Sequence, residues 1–494
     1  MSLIDISNLT FAHEGGDNLF ENVSFQIDTD WKLGFTGRNG RGKTTFLNLL
    51  LGKYPYQGGI SASVEFEYFP FEVADKSKDT LDVLKEIDGG LPQWALLREF
   101  SLLELGEDAL RRPFCTLSNG EQTKALLAAL FLKENRFLLI DEPTNHLDMH
   151  GREIVSRYLS GKEGFIVVSH DRAFLDGCVD HILSINKADI EIQRGNFSSW
   201  LANKERRDRF ELSENEKLKK DIRRLEKTAR EKAAWSDTAE QRKIGFDPVH
   251  EEKYIGRRPL QGAKAKKMMK RAKAIETRRQ TAVEEKSKLL KNLESAEALK
   301  VTQLAYHANR LLSLEDVSIF YGEKTACRGV RFTVERGDRV ALCGRNGSGK
   351  SSVLKLILGE ELAYTGSLLV GSGLKISYVS QDPSFLSGNL SDYAAREQID
   401  ESLFKTILRK LDFSRAQFEK DMRDFSFGQK KKVLIAKSLC ERAHLLVWDE
   451  PLNFIDVLSR IQIEDLLLAE KPTILFVEHD REFCRNVATK TVEL

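Results

Sequence analysis

GRNGRGKTT at Gly37–Thr45 returns as GRNGSGKSS at Gly344–Ser352. Both have the form G-x-x-x-x-G-K-[ST], a phosphate-binding loop. Its glycines let backbone N–H groups close around phosphate oxygens at a helix N-terminus, where the dipole favours an anion. Each loop follows a short apolar run, Lys32–Thr36 or Arg339–Cys343, and opens onto another, Phe46–Leu51 or Val353–Leu358. Strand, loop and helix in that order are the context the motif requires, and it occurs twice.

Other motifs repeat in step. FLLIDEPTNHLD at Phe137–Asp148 recurs as LLVWDEPLNFID at Leu445–Asp456, and VVSHDRAF at Val167–Phe174 as FVEHDREF at Phe476–Phe483. A constant offset across distinct motifs means a duplicated domain. The expected organisation is an α/β domain over 1–200, a different segment over 201–311, and a second α/β domain over 312–494.

The middle segment holds 29 basic and 18 acidic residues over 201–305, in a chain of 494 residues with net charge +1. Apolar residues recur there at helical spacing, as Leu218, Ile222 and Leu225 and again Leu289 and Leu293. Breaks at Gly245–Pro248 and at Gly256 and Pro259 divide it into two arms. The pattern predicts a helical hairpin with its tip near 243–258 and arms reaching about 60 Å. A plain tether is the simpler reading. Within Arg257–Arg279 the residues Arg257, Arg258, Lys264, Lys266, Lys267, Lys270 and Arg271 are met by one acid, Glu276. A run so one-sided on a projecting arm suits nucleic-acid phosphates. Lys243 stands at the tip, and Phe246 and Tyr254 there would stack on a base or close the turn.

The repeated motifs carry chemistry. Lys43 and Lys350 would reach phosphate oxygens, and the hydroxyls of Thr44 and Ser351 would sit on Mg²⁺. Asp141 and Asp449, just past apolar strands, would hold Mg²⁺ as well, and Glu142 and Glu450 follow as general bases for an attacking water.

The order phosphate loop, LSNGEQ (Leu117–Gln122) or FSFGQK (Phe425–Lys430), Asp-Glu, then His resembles the ATP-binding cassette family over nearly the whole of both copies. The resemblance implies two cassettes paired head to tail, each phosphate loop facing the partner's signature across ATP. One site would join Gly37, Asn39, Gly40, Gly42, Lys43, Thr44 and Thr45 to Ser426, Gly428 and Gln429. The other would join Gly344, Asn346, Gly347, Gly349, Lys350, Ser351 and Ser352 to Ser118, Gly120 and Glu121. His170 and His479 match the switch histidine of the family. Tyr321 matches the aromatic that stacks on adenine, with His13 at that place in the first copy. Gln381 matches the family's Gln-loop residue, a nucleotide and metal contact. Phe71 stands at the Gln position of the first copy and Phe427 at a usual Gly of the second signature, so the two sites are expected to be unequal.

Two cassettes on one chain, a charged helical linker and FSFGQKKK resemble the ABC-F family. The lack of room for an arm inserted in the first cassette, with WKLGFTGRNGRGKTT and YFPFE, resembles its Lsa and Vga type. That resemblance implies a cytoplasmic, monomeric ATPase at the tRNA exit site of the ribosome. Its linker would meet 23S rRNA and the P-site tRNA and would counter lincosamides, pleuromutilins and streptogramin A. The N-terminal run reads as a strand rather than a signal peptide, and the six cysteines form no C-x-x-C pair. A housekeeping translation factor, the ATPase subunit of a transporter with separate membrane subunits, and a chromosome ATPase stay open as alternatives.

Overall fold

The structure, a computed structural model, describes residues 2–13, 18–87, 89–145, 147–185, 190–244, 299–301 and 303–494, together with 266–267, 270–271, 273–278 and 280–281. It divides into two compact units, Met1–Trp200 with Ala296–Leu494, and Leu201–Ser295.

In the first copy, β1 (Leu3–Ala12), β2 (Asn18–Asp28) and β4 (Gln57–Ser61) form an antiparallel sheet in the order β2-β1-β4. Along β1 the side chains of Ile4, Ile6, Leu9 and Phe11 are buried between more exposed neighbours, as expected of a sheet with one wet face. The second sheet runs β5-β6-β7-β3-β8-β9, from β3 (Lys32–Thr36), β5 (Glu65–Phe69), β6 (Arg136–Asp141), β7 (Phe165–Val168), β8 (His181–Ile185) and β9 (Ile190–Arg194). It is parallel except between β8 and β9. Its central strands are continuous apolar runs because both faces are covered. Phe46 on the helix Lys43–Leu50 locks the two sheets together. Its ring lies 6.0 and 5.9 Å from Phe20 and Phe25 of β2 and 5.5 Å from Phe35 of β3.

The second copy repeats the plan. The strands β10 (Arg310–Tyr321), β11 (Lys324–Glu335) and β13 (Ala363–Val370) form the antiparallel sheet β11-β10-β13. A parallel sheet β14-β15-β16-β12-β17 is built from β12 (Arg339–Cys343), β14 (Ile376–Val379), β15 (Leu445–Asp449), β16 (Ile474–Val477) and β17 (Lys490–Glu493). In both copies the phosphate-loop strand pairs with the strand that leads to the histidine, β3 with β7 and β12 with β16.

The helix Phe197–Ile244 starts in the first unit, continues into the other, and runs for 48 residues, about 70 Å. Helical backbone recurs at 266–267, 270–271, 273–278 and 280–281, where Lys266, Lys267, Lys270 and Arg271 are exposed. Lys243 belongs to the long helix. Phe246, Tyr254, Arg257, Arg258 and Lys264 lie outside the described residues, and with them the predicted tip. Among the described residues no helix is long and apolar enough to cross a membrane.

Candidate active sites at the seam between the two copies

Each phosphate loop ends on a glycine in the left-handed region, Gly42 at φ 91° and Gly349 at φ 94°, which caps the following helix. A Cβ on Gly349 would lie 2.7 Å from the Ala326 carbonyl oxygen, so the turn needs glycine for both conformation and space. Lys43 Nζ donates to the carbonyls of Gly37 and Arg38 at 2.7 and 3.3 Å, and Lys350 Nζ to those of Gly344 and Arg345 at 2.9 Å each. Burial lowers the pKa of both lysines.

The strands β6 and β15 deliver the carboxylates. Thr44 Oγ1 and Tyr68 OH donate to Asp141 Oδ2 at 2.9 and 3.0 Å, and Ser351 bonds Asp449 in the second copy. Glu142 and Glu450 take left-handed backbone, φ 52° and 47°, and their N–H groups donate to the carbonyls of Val168 and Val477 at 2.9 and 3.0 Å. That turn aims each glutamate at the histidine of its own copy. His170 Nε2 lies 3.2 Å from Glu142 Oε1, and His479 Nε2 lies 3.4 Å from Glu450 Oε1.

The seam closes head to tail. Asn39 Nδ2 donates to the Phe454 carbonyl at 2.7 Å, and Arg38 and Arg41 approach Asp412 at 3.7 and 3.8 Å. At the other end the Asn346 N–H donates to Asp148 Oδ2 at 3.4 Å. A cavity of about 460 Å³ is lined by His13, Asn39, Lys43, Glu142, His170 and Gly428, along with Gly40, Gly42, Thr44, Thr45, Asp141 and Ser426. A larger one of about 1280 Å³ is lined by Tyr321, Lys350, Gln381, Glu450, His479 and Gly120, with Ser118, Glu121, Asn346, Gly347, Gly349, Ser351 and Ser352. Gly428 is sterically required, since a Cβ there would overlap the Phe454 carbonyl oxygen and crowd Asn39 Nδ2 of the opposite copy.

Ser118 and Ser426 are N-caps. Each accepts from the backbone N–H of Glu121 or Gln429, at 3.2 and 3.3 Å, and that residue's side chain reaches back to the cap N–H. The capping box leaves a helix N-terminus facing each cavity, a suitable partner for a phosphate. Ser426, Phe427 and Gly428 line the smaller cavity while Gln429 is engaged in the cap. Tyr321 OH donates to Ser352 Oγ at 3.3 Å beside the larger cavity. His13 stands 3.5 Å from Thr45 Oγ1 and 5.9 Å, ring to ring, from Tyr54, an aromatic neighbour with no motif to announce it.

The two sites differ in how the base is held. Burial raises Asp141, and it pushes Glu142 up to about 8. Among the described residues its buried Oε1 has His170 Nε2 at 3.2 Å but no completed hydrogen bond. Burial, followed by the Lys43 charge, keeps His170 well below its usual pKa. Glu450 is largely buried too, but His479 and Gln381 beside it outweigh that cost and bring its pKa below the usual value. Asn453 Nδ2 also donates to Glu450 Oε2 at 2.6 Å. Phe71, at the place of Gln381, lines a separate hollow with Phe69, Pro70 and Phe114. Phe427 packs on Phe454 at 5.3 Å over the smaller cavity.

Among the described residues no group of three or more His, Cys, Asp or Glu side chains is set to hold a metal alone. Thr44 with Asp141, and Ser351 with Asp449, supply two oxygen donors per site. Among the described residues Asp449 Oδ1 is buried without a hydrogen-bond donor, and burial pushes Asp449 up to about 6. Such a set fits Mg²⁺, which keeps waters and completes its shell with phosphate oxygens.

Asp148, Arg152, Asp412 and Phe454 belong to the seam, and sequence reasoning did not single them out. Asp148 and Phe454 stand inside the repeated LIDEPTNHLD and VWDEPLNFID runs, which is the signal that marks them.

Residues 20–145 and 327–453 match the ABC transporter ATP-binding family. The chain is 30% identical to the ribosome protection protein VmlR of Bacillus subtilis, over 97% of this chain and 84% of that protein. It is 27% identical to the ATP-binding protein Uup of Caulobacter vibrioides, over 97% and 75%. In fold it is similar to an archaeal ribosome recycling factor, aABCE1, with TM-score 0.64 and 18% identity over 99% of this chain and 87% of that one. The chain belongs to the ABC transporter ATPase family, in its ABC-F branch, and is an ATPase with two ATP-binding domains.

Proposed function

We propose that this chain is a cytoplasmic ribosome protection ATPase that clears or reshapes the binding site of lincosamides, pleuromutilins and streptogramin A. The observation that carries this reading is the similarity to VmlR, a ribosome protection protein, across 97% of the chain, linker included. The partners would be 23S rRNA and the P-site tRNA, met by the basic arm.

ATP at both sites would draw each phosphate loop onto the opposite signature, its γ-phosphate meeting Lys43 or Lys350 on one side and the helix behind Ser426 or Ser118 on the other. Mg²⁺, held by Thr44 and Asp141 or by Ser351 and Asp449, would supply charge neutralisation at the phosphates. Glu450, or Glu142 in its ionised form, accepts a proton from water as its oxygen attacks the γ-phosphorus, and the bond to the bridging oxygen of ADP breaks. His170 and His479 orient those carboxylates. The seam then opens and the arm withdraws.

The test joins binding to resistance. Glu142→Gln with Glu450→Gln should hold the protein on 70S ribosomes in ATP, and replacing 243–258 by a short Gly-Ser turn should abolish drug protection while ATP hydrolysis persists. Equal ribosome co-sedimentation with and without nucleotide, in both wild type and the double variant, would rule out an ATP-gated ribosome factor. Deleting the gene with loss of growth but unchanged drug susceptibility would instead assign a housekeeping role in translation.

A further inference from the structure

Lys431 lies on the helix Phe427–Cys440 that starts at the second signature, and it is 1% exposed. Its Nζ donates to the carbonyls of Glu450 at 2.8 Å, Ser380 at 2.9 Å and Asp449 at 3.4 Å. Asp449 and Glu450 form the turn that carries the metal carboxylate and the base. Ser380 precedes Gln381, which lines the larger cavity together with Glu450 and helps to lower its pKa. One ammonium therefore joins the backbone beneath the base to the backbone beneath the amide that lies beside it.

The fold does not demand a lysine here. The corresponding place in the first copy is Thr123, also buried, on the helix Asn119–Leu130. The same left-handed turn forms there, with Glu142 at φ 52° against 47° for Glu450. Burying an ammonium is costly even among carbonyls, and a cost taken in one copy and not in the other points away from a general structural need. The first copy also lacks the amide, with Phe71 in place of Gln381. Lysine and glutamine occur together in one copy and are both missing from the other.

We infer that Lys431 is a positioning residue for the second ATP site, fixing Glu450 and Gln381 in one rigid frame so that the base stays aligned with the attacking water. The inference rests on Glu450 being the base of that site. A misplacement of about 1 Å at a reacting group costs on the order of 100-fold in rate, which sets the scale of the effect.

The test measures phosphate release in backgrounds where one site works. In Glu142→Gln protein, Lys431→Met and Lys431→Thr should each lower kcat by about 10- to 100-fold while the KM for ATP moves less than about threefold. In Glu450→Gln protein the same changes should leave first-site turnover within about twofold. A kcat within twofold of the parent for Lys431→Thr, which restores the first copy's own residue, overturns the inference. So does an equal loss at both sites with a lowered Tm, the mark of a merely structural lysine. If Glu142→Gln alone already silences the protein, what fails is the reading of Glu450 as an independent base, a result distinct from failure at Lys431.

Discussion

At the second site Glu450 accepts a hydrogen bond from Asn453 and has the Gln381 amide beside it as well as its histidine, whereas at the first site Glu142 has His170 Nε2 at 3.2 Å and Phe71 in place of the amide. The backbone frames are nearly the same, with matched left-handed turns and matched strand pairing. Duplication kept the scaffold and let the side chains that hold the base diverge. A shared fold is therefore a poor guide to equal activity, because a general base depends on contacts that the backbone does not dictate.

The broadest way to break this comparison is to remove both bases. Glu142→Gln with Glu450→Gln should cut steady-state phosphate release by roughly 10²- to 10⁴-fold. Residual turnover above a tenth of wild type would mean that neither glutamate is the base.

A second contrast concerns the aspartates that end the repeated runs. Asp148 reaches across the seam to Asn346, whereas Asp456 is fully buried on Lys432 Nζ at 2.7 Å. Burial alone would raise Asp456, but Lys432 holds its carboxyl well below the usual range. A depressed pKa adds stability above the unfolded value near 4, and that stability is lost as pH falls toward the folded value. Lys432→Met should therefore destabilise the protein by about 3–5 kcal/mol at pH 7, as removal of one partner of a buried pair does. In thermal melts the gap from wild type should narrow below about pH 4. A gap that widens in acid would refute the ion-pair account.

A sharper cut compares single sites. Glu450→Gln should lower turnover about tenfold more than Glu142→Gln, because the held base is the one aligned to act. Gln381→Ala should slow the second site about tenfold, while Phe71→Ala should leave the first within about twofold. Single-turnover assays in the matching Glu→Gln backgrounds decide this, and equal losses would show that the hydrogen bonds around Glu450 are catalytically idle.

The smallest effect lies at the edge of the seam. Asp412→Ala removes partners of Arg38 and Arg41 at 3.7 and 3.8 Å in a partly exposed setting. Ion pairs of this kind contribute about 0.2–1 kcal/mol, so the apparent affinity for ATP should weaken about two- to fivefold, more at low salt than at high.

The fold was legible because its motifs are local. A phosphate loop, an apolar strand ending in Asp-Glu and a histidine run each declare themselves within ten residues, and the repeat confirms them. Phe71 and Phe427 were equally visible as departures, for they stand where a motif prescribes another residue. The seam was legible only in outline. Asn39 meets Phe454 across 415 positions of chain, and Arg152 Nη1 donates to the His479 carbonyl, 3.3 Å away, across 327. Neither contact has a local signature, since a carbonyl accepts from any donor that tertiary packing brings to it. The hidden part of the site was likewise hydrogen bonding: Asn453 on Glu450, Tyr68 on Asp141 and Lys431 under the turn depend on orientation, which composition does not encode.

The head-to-tail seam joins two parts of one polypeptide, and this settles the reaction order of its closure. In a site assembled from separate chains, closing is bimolecular and weakens on dilution. Here the opposing halves are covalently linked, and their encounter is governed by an effective concentration that the tether sets. Specific activity should then be independent of protein concentration down to nanomolar levels. A few copies in a cell would each act at full strength, without waiting to meet another.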